Sequence, residues 1–348
     1  MRLATLLVFV AAAALRAQAP IAKFEVDRTW PTIPPTMKIG DASSFAVDAA
    51  DRVWLLHRPR TLKPEDAPKA APPVVVFDSA GKIVKTWGGD GAGYEWPQRE
   101  HGIHVDANGF VWIGGNYCPA DAQATVQAAD DQLLKFTNDG KFVLQIGRAG
   151  GSKGNADQGN LHRPADQWVN PRTNELFVAD GYGNHRIVVF DATTGKFKRM
   201  WGAFGRLPAD SDNCAVPPAR PVTGDGPPQF SIVHAVRVAN DGTVYVADRE
   251  NRRVQMFSSD GTFLKQLVKG DTPFARDLAL SPGPEQTFLY VGNGDDIQVV
   301  DRKTFTIVGA IKVPGQIGGG HHLATDSKGN LYIAQTSAGL QKLRLIPN

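Results

Sequence analysis

The 348-residue sequence contains only two cysteines, Cys118 and Cys214. So few cysteines exclude a disulfide-rich scaffold, although they leave room for a single bridge in an oxidising compartment. Basic and acidic residues nearly balance, with 38 Lys and Arg against 35 Asp and Glu, and no basic stripe is present. The sequence therefore lacks the electrostatic pattern of a nucleic-acid-binding protein.

Long apolar runs are also missing beyond the first residues. The stretch from Leu3 to Leu15 follows Arg2 and is too short to span a bilayer. Ala17-Gln18-Ala19 then fits the pattern of a cleavage site, so residues 1–19 are predicted to be a signal peptide. The mature chain is expected to be periplasmic or secreted, without a membrane span. Because Pro20 would follow the cleavage site, retention of the segment as an anchor stays an alternative.

Sustained helical periodicity is lacking too, and a strand–turn–strand repeat takes its place. Each copy has an apolar strand, a polar turn and a second apolar strand. The six copies begin at Phe45, Ile103, Gln167, Val236, Leu278 and Leu323. A second hairpin follows each copy, as in Val74 to Trp87, often around a turn of the Asn/Asp-Gly kind that is typical of hairpins.

Four strands per unit, repeated six times, predict an all-β fold, a six-bladed β-propeller that fills residues 20–348 as one domain. The sixth unit ends after Leu340-Gln341-Lys342-Leu343 without an outer strand. We expect Phe24-Glu25-Val26-Asp27 to supply that strand and to close the ring. A tandem array of small β-domains is disfavoured, because a single unit cannot bury its own faces.

Histidine recurs at one position of the repeat. Five residues before the end of the first strand, the units carry Ser43, His101, Ala165, His234, Arg276 and His321. The three histidines fall in alternate units, about a third of a turn apart in a six-bladed ring. Three imidazoles that converge on the axis are typical of catalytic zinc, which keeps a fourth position open. Hydrogen-bonded channel histidines are the alternative interpretation.

The loops after the second strands are expected at the same end of the propeller as these histidines. They carry His57-Arg58, Asp180-Gly181-Tyr182 and Asp248-Arg249-Glu250. The guanidinium groups of Arg58 and Arg249 match a carboxylate in geometry, which predicts a substrate that bears one. Ion pairs between blades for the two arginines, and simple packing for Tyr182, are the structural alternatives.

Two phrases of the sequence resemble the signature of NHL-repeat propellers. They are Asp180-Gly181-Tyr182-Gly183-Asn184-His185-Arg186-Ile187 and Ala247-Asp248-Arg249-Glu250-Asn251-Arg252-Arg253-Val254. More narrowly, about residues 40–345 are similar to the peptidyl-α-hydroxyglycine α-amidating lyase family. The resemblance implies zinc on His101, His234 and His321, and a catalytic Tyr182. It also implies that Arg58 and Arg249 are active-site residues, and that the products are an amide and glyoxylate.

The sequence departs from that family at His322. A carboxylate of the family's structural calcium site stands at this position, which leaves calcium in doubt here. The substrate also stays open between peptidyl-α-hydroxyglycine and another α-hydroxy-amide or ureido compound. Two other function classes remain: a non-catalytic NHL propeller that binds a peptide, protein or glycan, and a metal-dependent hydrolase of the lactonase type. We expect a monomer.

Overall fold

The computed structural model describes residues 21–119, 126, 128–209, 222–269 and 274–347. Within these residues, 24 strands form six antiparallel sheets of four strands each. Helical structure in the same ranges is confined to three 3₁₀ turns, Pro59–Thr61, Ala67–Lys69 and Ala203–Gly205. The predicted all-β, six-bladed propeller with four-stranded blades is confirmed.

Each blade runs from an inner strand to an outer one. Blade one contains β2 (Asp41–Val47), β3 (Val53–Arg58), β4 (Val74–Phe77) and β5 (Ile83–Trp87). Blade two contains β6 (Glu100–Val105), β7 (Val111–Gly115), β8 (Gln132–Phe136) and β9 (Phe142–Gly147). Blade three contains β10 (Asp166–Asn170), β11 (Glu175–Asp180), β12 (Arg186–Asp191) and β13 (Phe197–Trp201).

The second half of the ring follows the same order. Blade four contains β14 (Val233–Val238), β15 (Val244–Asp248), β16 (Arg253–Phe257) and β17 (Phe263–Val268). Blade five contains β18 (Leu278–Leu280), β19 (Phe288–Gly292), β20 (Ile297–Asp301) and β21 (Thr306–Ile311). Blade six contains β22 (His322–Thr325), β23 (Leu331–Gln335), β24 (Gly339–Ile346) and the N-terminal β1 (Lys23–Val26).

The two ends of the described chain close the ring. Strand β1 pairs antiparallel with β24, and Phe24 lies opposite Leu345. Phe24 is buried in the hydrophobic cluster between blades five and six. The predicted closure is confirmed, with the strand beginning one residue earlier than expected. Strand β1 therefore completes the four-stranded sheet of blade six, which joins the N-terminal and C-terminal segments in one blade and closes the ring.

A repeated carboxylate fixes the turn after the inner strands of several blades. Asp48 accepts hydrogen bonds from the backbone N–H groups of its own turn and from the indole Nε1 of Trp54 at 2.8 Å. Asp106 does the same with Trp112 at 3.0 Å. Both indoles are fully buried between blades. In blades one and two, the Asp that ends the first strand therefore joins the turn to the hydrophobic core.

The buried imidazole of His57 is expected to make the stability of the folded protein depend on pH. Its Nδ1 accepts a hydrogen bond from the Gly40 N–H at 3.1 Å, and its Nε2 donates to the Pro72 carbonyl at 3.0 Å. Burial lowers the pKa of His57 to about 4. The unfolded chain binds this proton and the folded chain does not, so acid weakens folding as the pH falls below 6.5.

We expect the His57→Gln variant to be less stable than the parent at pH 7, because it disturbs a satisfied buried group. The deficit should shrink by about 2 kcal/mol at pH 5, where the parent also loses the contribution of the neutral imidazole. Urea unfolding at the two pH values measures both numbers. An equal deficit at pH 5 and pH 7 would show that His57 ionises alike in both states.

Candidate metal centre

Three of the predicted histidines meet on the propeller axis. His101 lies in β6 and His234 in β14, whereas His321 directly precedes β22. Their ring centroids are 5.0 Å apart for His101 and His234, and 4.9 Å apart for each pair that includes His321. The sequence register therefore identified side chains from three blades that converge at one height.

Local irregularities of the inner strands help to aim two of these rings. The pairing of β6 with β7 shifts between Glu100 and Ile103, and the pairing of β14 with β15 shifts between Val233 and Ala235. His101 and His234 lie inside these shifts. Bulges of this kind add an unpaired residue and redirect its side chain. Both histidines are fully buried.

The hydrogen bonds of two rings leave one nitrogen directed at the centre. Nδ1 of His101 lies 2.7 Å from the Ala165 carbonyl, and Nδ1 of His321 lies 2.9 Å from the Ser43 carbonyl. A carbonyl only accepts, so each Nδ1 carries the proton and each Nε2 keeps its lone pair. Burial lowers the pKa of His101, His234 and His321 well below the ordinary value. All three are neutral at pH 7, the form that binds metals.

A fourth histidine joins the cluster. His322 is fully buried, and one nitrogen from each of His101, His234, His321 and His322 lies within 4.8 Å of the others. The Nδ1 of His322 lies 3.5 Å from Asp277 Oδ2, and Asp277 pairs in turn with Arg237. The sequence had singled out His322 only as a departure from a calcium site. Its position near the inner end of blade six was the one sequence feature that related it to the axis, and the structure adds it to the group of possible ligands.

The donor set indicates which metals the cluster can hold. Four imidazoles and no carboxylate form the group of possible ligands found in the described residues. Imidazole nitrogen suits zinc, copper and nickel, whereas calcium requires six or more oxygens. The cluster thus fits a transition metal ion, and nothing in this donor set supports calcium at the axis.

Tyr182 lies directly over the histidines. Its hydroxyl oxygen is 3.0 Å from His101 Nε2 and 3.2 Å from His234 Nε2. Arg249 donates to the same oxygen from Nη1 at 2.9 Å. The guanidinium carbons of Arg249 and Arg163 lie 5.3 Å and 5.7 Å from the tyrosine ring centroid. Tyr182 is therefore held between two cations with its oxygen at the mouth of the cluster.

The two segments that resemble NHL repeats contain buried ion pairs that hold the loops with Tyr182 and Arg249 in place. In blade three, Asp180 accepts hydrogen bonds from Arg186 Nε at 2.9 Å and from a backbone N–H of the preceding loop. In blade four, Asp248 accepts from Arg253 Nε at 2.7 Å and from the corresponding N–H. All four side chains are fully buried. These repeated ion pairs place the functional loops at equivalent points of neighbouring blades.

Arg58 and Arg249 line the cavity above the cluster but already have partners. Arg58 donates from Nε to the Glu100 carbonyl at 2.8 Å and from Nη2 to Ser43 Oγ at 3.4 Å. Burial lowers its pKa. Arg249 donates from Nε to Glu250 at 2.7 Å, in addition to its bond to Tyr182. Neither arginine forms an ion pair that joins two blades in the described structure.

Two adjoining cavities open onto the histidines. One, of about 550 Å³, is lined by Arg58, Tyr182, Arg249 and His321 among others. The second, of about 320 Å³, is lined by His234, Arg249, Arg276 and His321 with three further residues. Five of the six residues predicted for the metal and catalytic roles therefore line these cavities, and the sixth, His101, contacts the Tyr182 hydroxyl from below. Their roles remain predictions.

The cysteine prediction falls partly outside the described residues. Cys118 is buried and is not a free thiol. Cys214 lies in the segment 210–221, outside the described part of the chain. A bridge between the two cysteines stays a prediction. The predicted signal peptide, residues 1–19, also lies outside these ranges. No helix of the described residues has the length and apolar character needed to cross a bilayer.

The fold and the site together define a six-bladed β-propeller with an axial histidine cluster. The NHL repeat family model matches residues 230–257, in blade four. Sequence comparison relates the chain to proteins of peptide amidation. It is 29% identical over 289 residues to peptidyl-glycine alpha-amidating monooxygenase A of Xenopus laevis, covering 78% of this chain and 26% of that protein.

Two further relatives extend the comparison. The chain is 25% identical over 284 residues to the probable peptidyl-alpha-hydroxyglycine alpha-amidating lyase pgal-1 of Caenorhabditis elegans, covering 76% of this chain and 70% of that protein. It is 27% identical over 245 residues to NHL repeat-containing protein 3 of Homo sapiens, covering 68% and 57%. The chain spans only about a quarter of the Xenopus monooxygenase. The similarity to the amidating lyase family that the sequence motifs indicated is confirmed.

Proposed function

We propose that this protein is a zinc-dependent carbon–nitrogen lyase that cleaves a carbinolamide with a carboxylate to an amide and glyoxylate. The observation that carries the proposal is the position of the Tyr182 oxygen, within hydrogen-bond distance of two cluster histidines and of Arg249. An ionisable hydroxyl beside a metal-ligand cluster and a guanidinium is suited to proton transfer at a bound substrate. The names of the amidating relatives point to the same reaction.

His101, His234 and His321 would hold the metal, because two of them have the tautomer that leaves Nε2 free. Zinc bound there supplies Lewis-acid chemistry and lowers the pKa of an oxygen ligand. The lactonase alternative needs carboxylate and asparagine ligands at the axis, and the described cluster consists of histidines. Peptidyl-α-hydroxyglycine, or a related α-hydroxy-amide or ureido compound, fits the proposed chemistry.

Tyr182 and Arg249 have separate roles in the proposed reaction. Tyr182, as phenolate, takes the proton of the substrate hydroxyl group. The electron pair of that O–H bond forms the C=O bond of glyoxylate while the C–N bond breaks. The leaving amide nitrogen takes up a proton, which Tyr182 is placed to return. Arg249 donates a hydrogen bond to the tyrosine oxygen and stabilises its negative charge throughout the step.

Arg58 and Arg249 face the substrate from the wall of the larger cavity. With two donor nitrogens of each already bonded, one terminal nitrogen of each arginine remains for the substrate. Each can therefore contribute a single charge-assisted hydrogen bond to the carboxylate. We further propose that the protein is exported, because residues 1–19 have the pattern of a signal peptide, and that it acts as a monomer.

A panel of N-acyl compounds tests this proposal. We expect the metal-loaded protein to convert N-benzoyl-α-hydroxyglycine to equimolar benzamide and glyoxylate. Gluconolactone, a substrate of the lactonase type, should be untouched. Both products are measured by chromatography, with ureido and peptidyl analogues run in parallel to rank substrates. A ring-opened acid from the lactone, with no glyoxylate from any compound, would reject the lyase in favour of a hydrolase. No product from any compound would favour a binding propeller.

A further inference from the structure

Arg276 occupies the register position of the metal-centre histidines in blade five. The Arg276 N–H donates to the Gly292 carbonyl at 2.9 Å, as the His321 N–H donates to the Ala334 carbonyl at 2.8 Å. Arg276 lies two residues before β18 and His321 one residue before β22, and the matching bonds place both at the entry to the inner strand of their blade. An arginine therefore lies at the height of the histidine ring, where three other blades present possible ligands.

The guanidinium group of Arg276 is available to bind a ligand. No hydrogen bond or ion pair of its guanidinium occurs among the described residues, although it is partly buried. Arg58 and Arg249 each use two donor nitrogens within the protein. A two-bond contact to a carboxylate needs both N–H groups of one fork. Of these three arginines, only Arg276 has the whole fork available.

The cavity beside Arg276 is suited to bind an anion. It has a volume of about 320 Å³ and borders both His234 and His321. Among the described residues, Arg249 and Arg276 line it together with Glu250, which is bonded to Arg249. Phe274 supplies an apolar wall. A partly buried guanidinium such as that of Arg276, which has no partner among the described residues, attracts a negatively charged ligand.

We infer that Arg276 is the residue that binds the carboxylate of the substrate through a two-bond contact and so selects acids over neutral amides. The inference rests on the proposed function and names the specificity determinant of that same site. A carboxylate in the Arg276 cavity would lie beside His234 and His321. The carbon that bears the hydroxyl group would then lie between this anchor and Tyr182. Arg58 and Arg249 would contribute single hydrogen bonds.

Binding of unreactive analogues tests the inference without catalysis. N-benzoylglycine carries the carboxylate, and N-benzoylglycinamide is its neutral counterpart; neither has the hydroxyl group needed for cleavage. Calorimetry on the metal-loaded parent should show the acid binding at least ~10-fold more tightly than the amide. Arg276→Gln should remove this preference by weakening acid binding ~10- to 100-fold, with little change for the amide.

Two further variants separate geometry from charge. Arg276→Lys keeps the charge but not the fork, and it should recover only part of the preference for the acid. Lys303→Gln removes an exposed charge elsewhere in blade five and should bind both analogues like the parent. Acid binding by Arg276→Gln within twofold of the parent, in a variant with an unchanged melting temperature, would overturn the inference.

The inference and the proposed function fail in different ways. If the parent releases glyoxylate and Arg276→Gln keeps its KM, Arg276 is not the anchor and the lyase stands. If no compound yields glyoxylate but acid binding depends on Arg276, the carboxylate site stands and the lyase is rejected. When both hold, Arg276→Gln should raise KM at least ~10-fold and change kcat much less.

Discussion

The double variant His101→Ala/His234→Ala is expected to lose its metal. The purified parent should contain about one zinc per chain, and the variant less than about a tenth of that. Two substitutions are needed because four histidine nitrogens lie within 4.8 Å of one another, so that one loss leaves three ligands. Glyoxylate release should fall by at least ~10³-fold, since both the metal and the geometry around Tyr182 are disturbed.

Elemental analysis of parent and variant, purified side by side, provides the measurement. His185→Ala serves as the control, because it removes a histidine outside the cluster and should leave metal content unchanged. Equal metal in the parent and the double variant would place the ion elsewhere. A parent without metal, even after zinc is supplied, would support the channel-histidine interpretation.

The Tyr182→Phe variant is expected to lose catalysis while keeping its metal. The substitution removes the oxygen that contacts His101, His234 and Arg249 but keeps the aromatic ring between its two cations. Loss of one positioned proton-transfer group costs ~10²- to 10⁴-fold in rate. We therefore expect kcat to fall in that range, with KM changed little and zinc content equal to that of the parent.

Tyr117 offers a matched control for this experiment. It lines the same cavity, and its hydroxyl donates to the Val126 carbonyl at 3.1 Å, away from the cluster. Tyr117→Phe should keep kcat within about threefold of the parent, because its hydroxyl contacts none of the reacting groups. If Tyr182→Phe also stays within that range, Tyr182 orders the site and another group transfers the proton.

Repetition made much of the fold predictable. Each unit repeats the same strand–turn–strand pattern, so some equivalent positions, such as Asp48 and Asp106, make equivalent bonds. Histidines at one register position of alternate units therefore had to meet near the axis. Closure by the N-terminal strand was predictable as well, because the sixth unit lacked a partner for β24.

The fourth histidine was harder to predict. Neighbouring residues of a strand normally point to opposite faces, so His321 and His322 would be assigned to different surroundings. Near the axis, however, a ring on the inner end of β22 can still reach the cluster, with centroids of His321 and His322 only 5.0 Å apart. The shifted registers in β6 and β14 have no sequence signature either, because a bulge is set by local pairing.

The hydrogen bonds and the ion pair that Arg58 and Arg249 form within the protein could not be predicted from the sequence either. Arg58 and Arg249 were expected to face a substrate with free guanidinium groups, and the pattern of residues could not show that Glu100, Ser43 and Glu250 engage them. The contact of Arg58 with Glu100 joins two blades and that of Arg249 with Glu250 joins neighbours in one loop, and both depend on side-chain packing that no periodicity records. The same limit concealed the free fork of Arg276.

Zinc dependence of glyoxylate release tests the central claim most directly. The protein is stripped of metal with a chelator, assayed with N-benzoyl-α-hydroxyglycine, and assayed again after stepwise addition of zinc. The account predicts no glyoxylate from the stripped protein and recovery that saturates at about one zinc per chain. Undiminished glyoxylate release after complete removal of the metal, or no release at any zinc concentration, would contradict it.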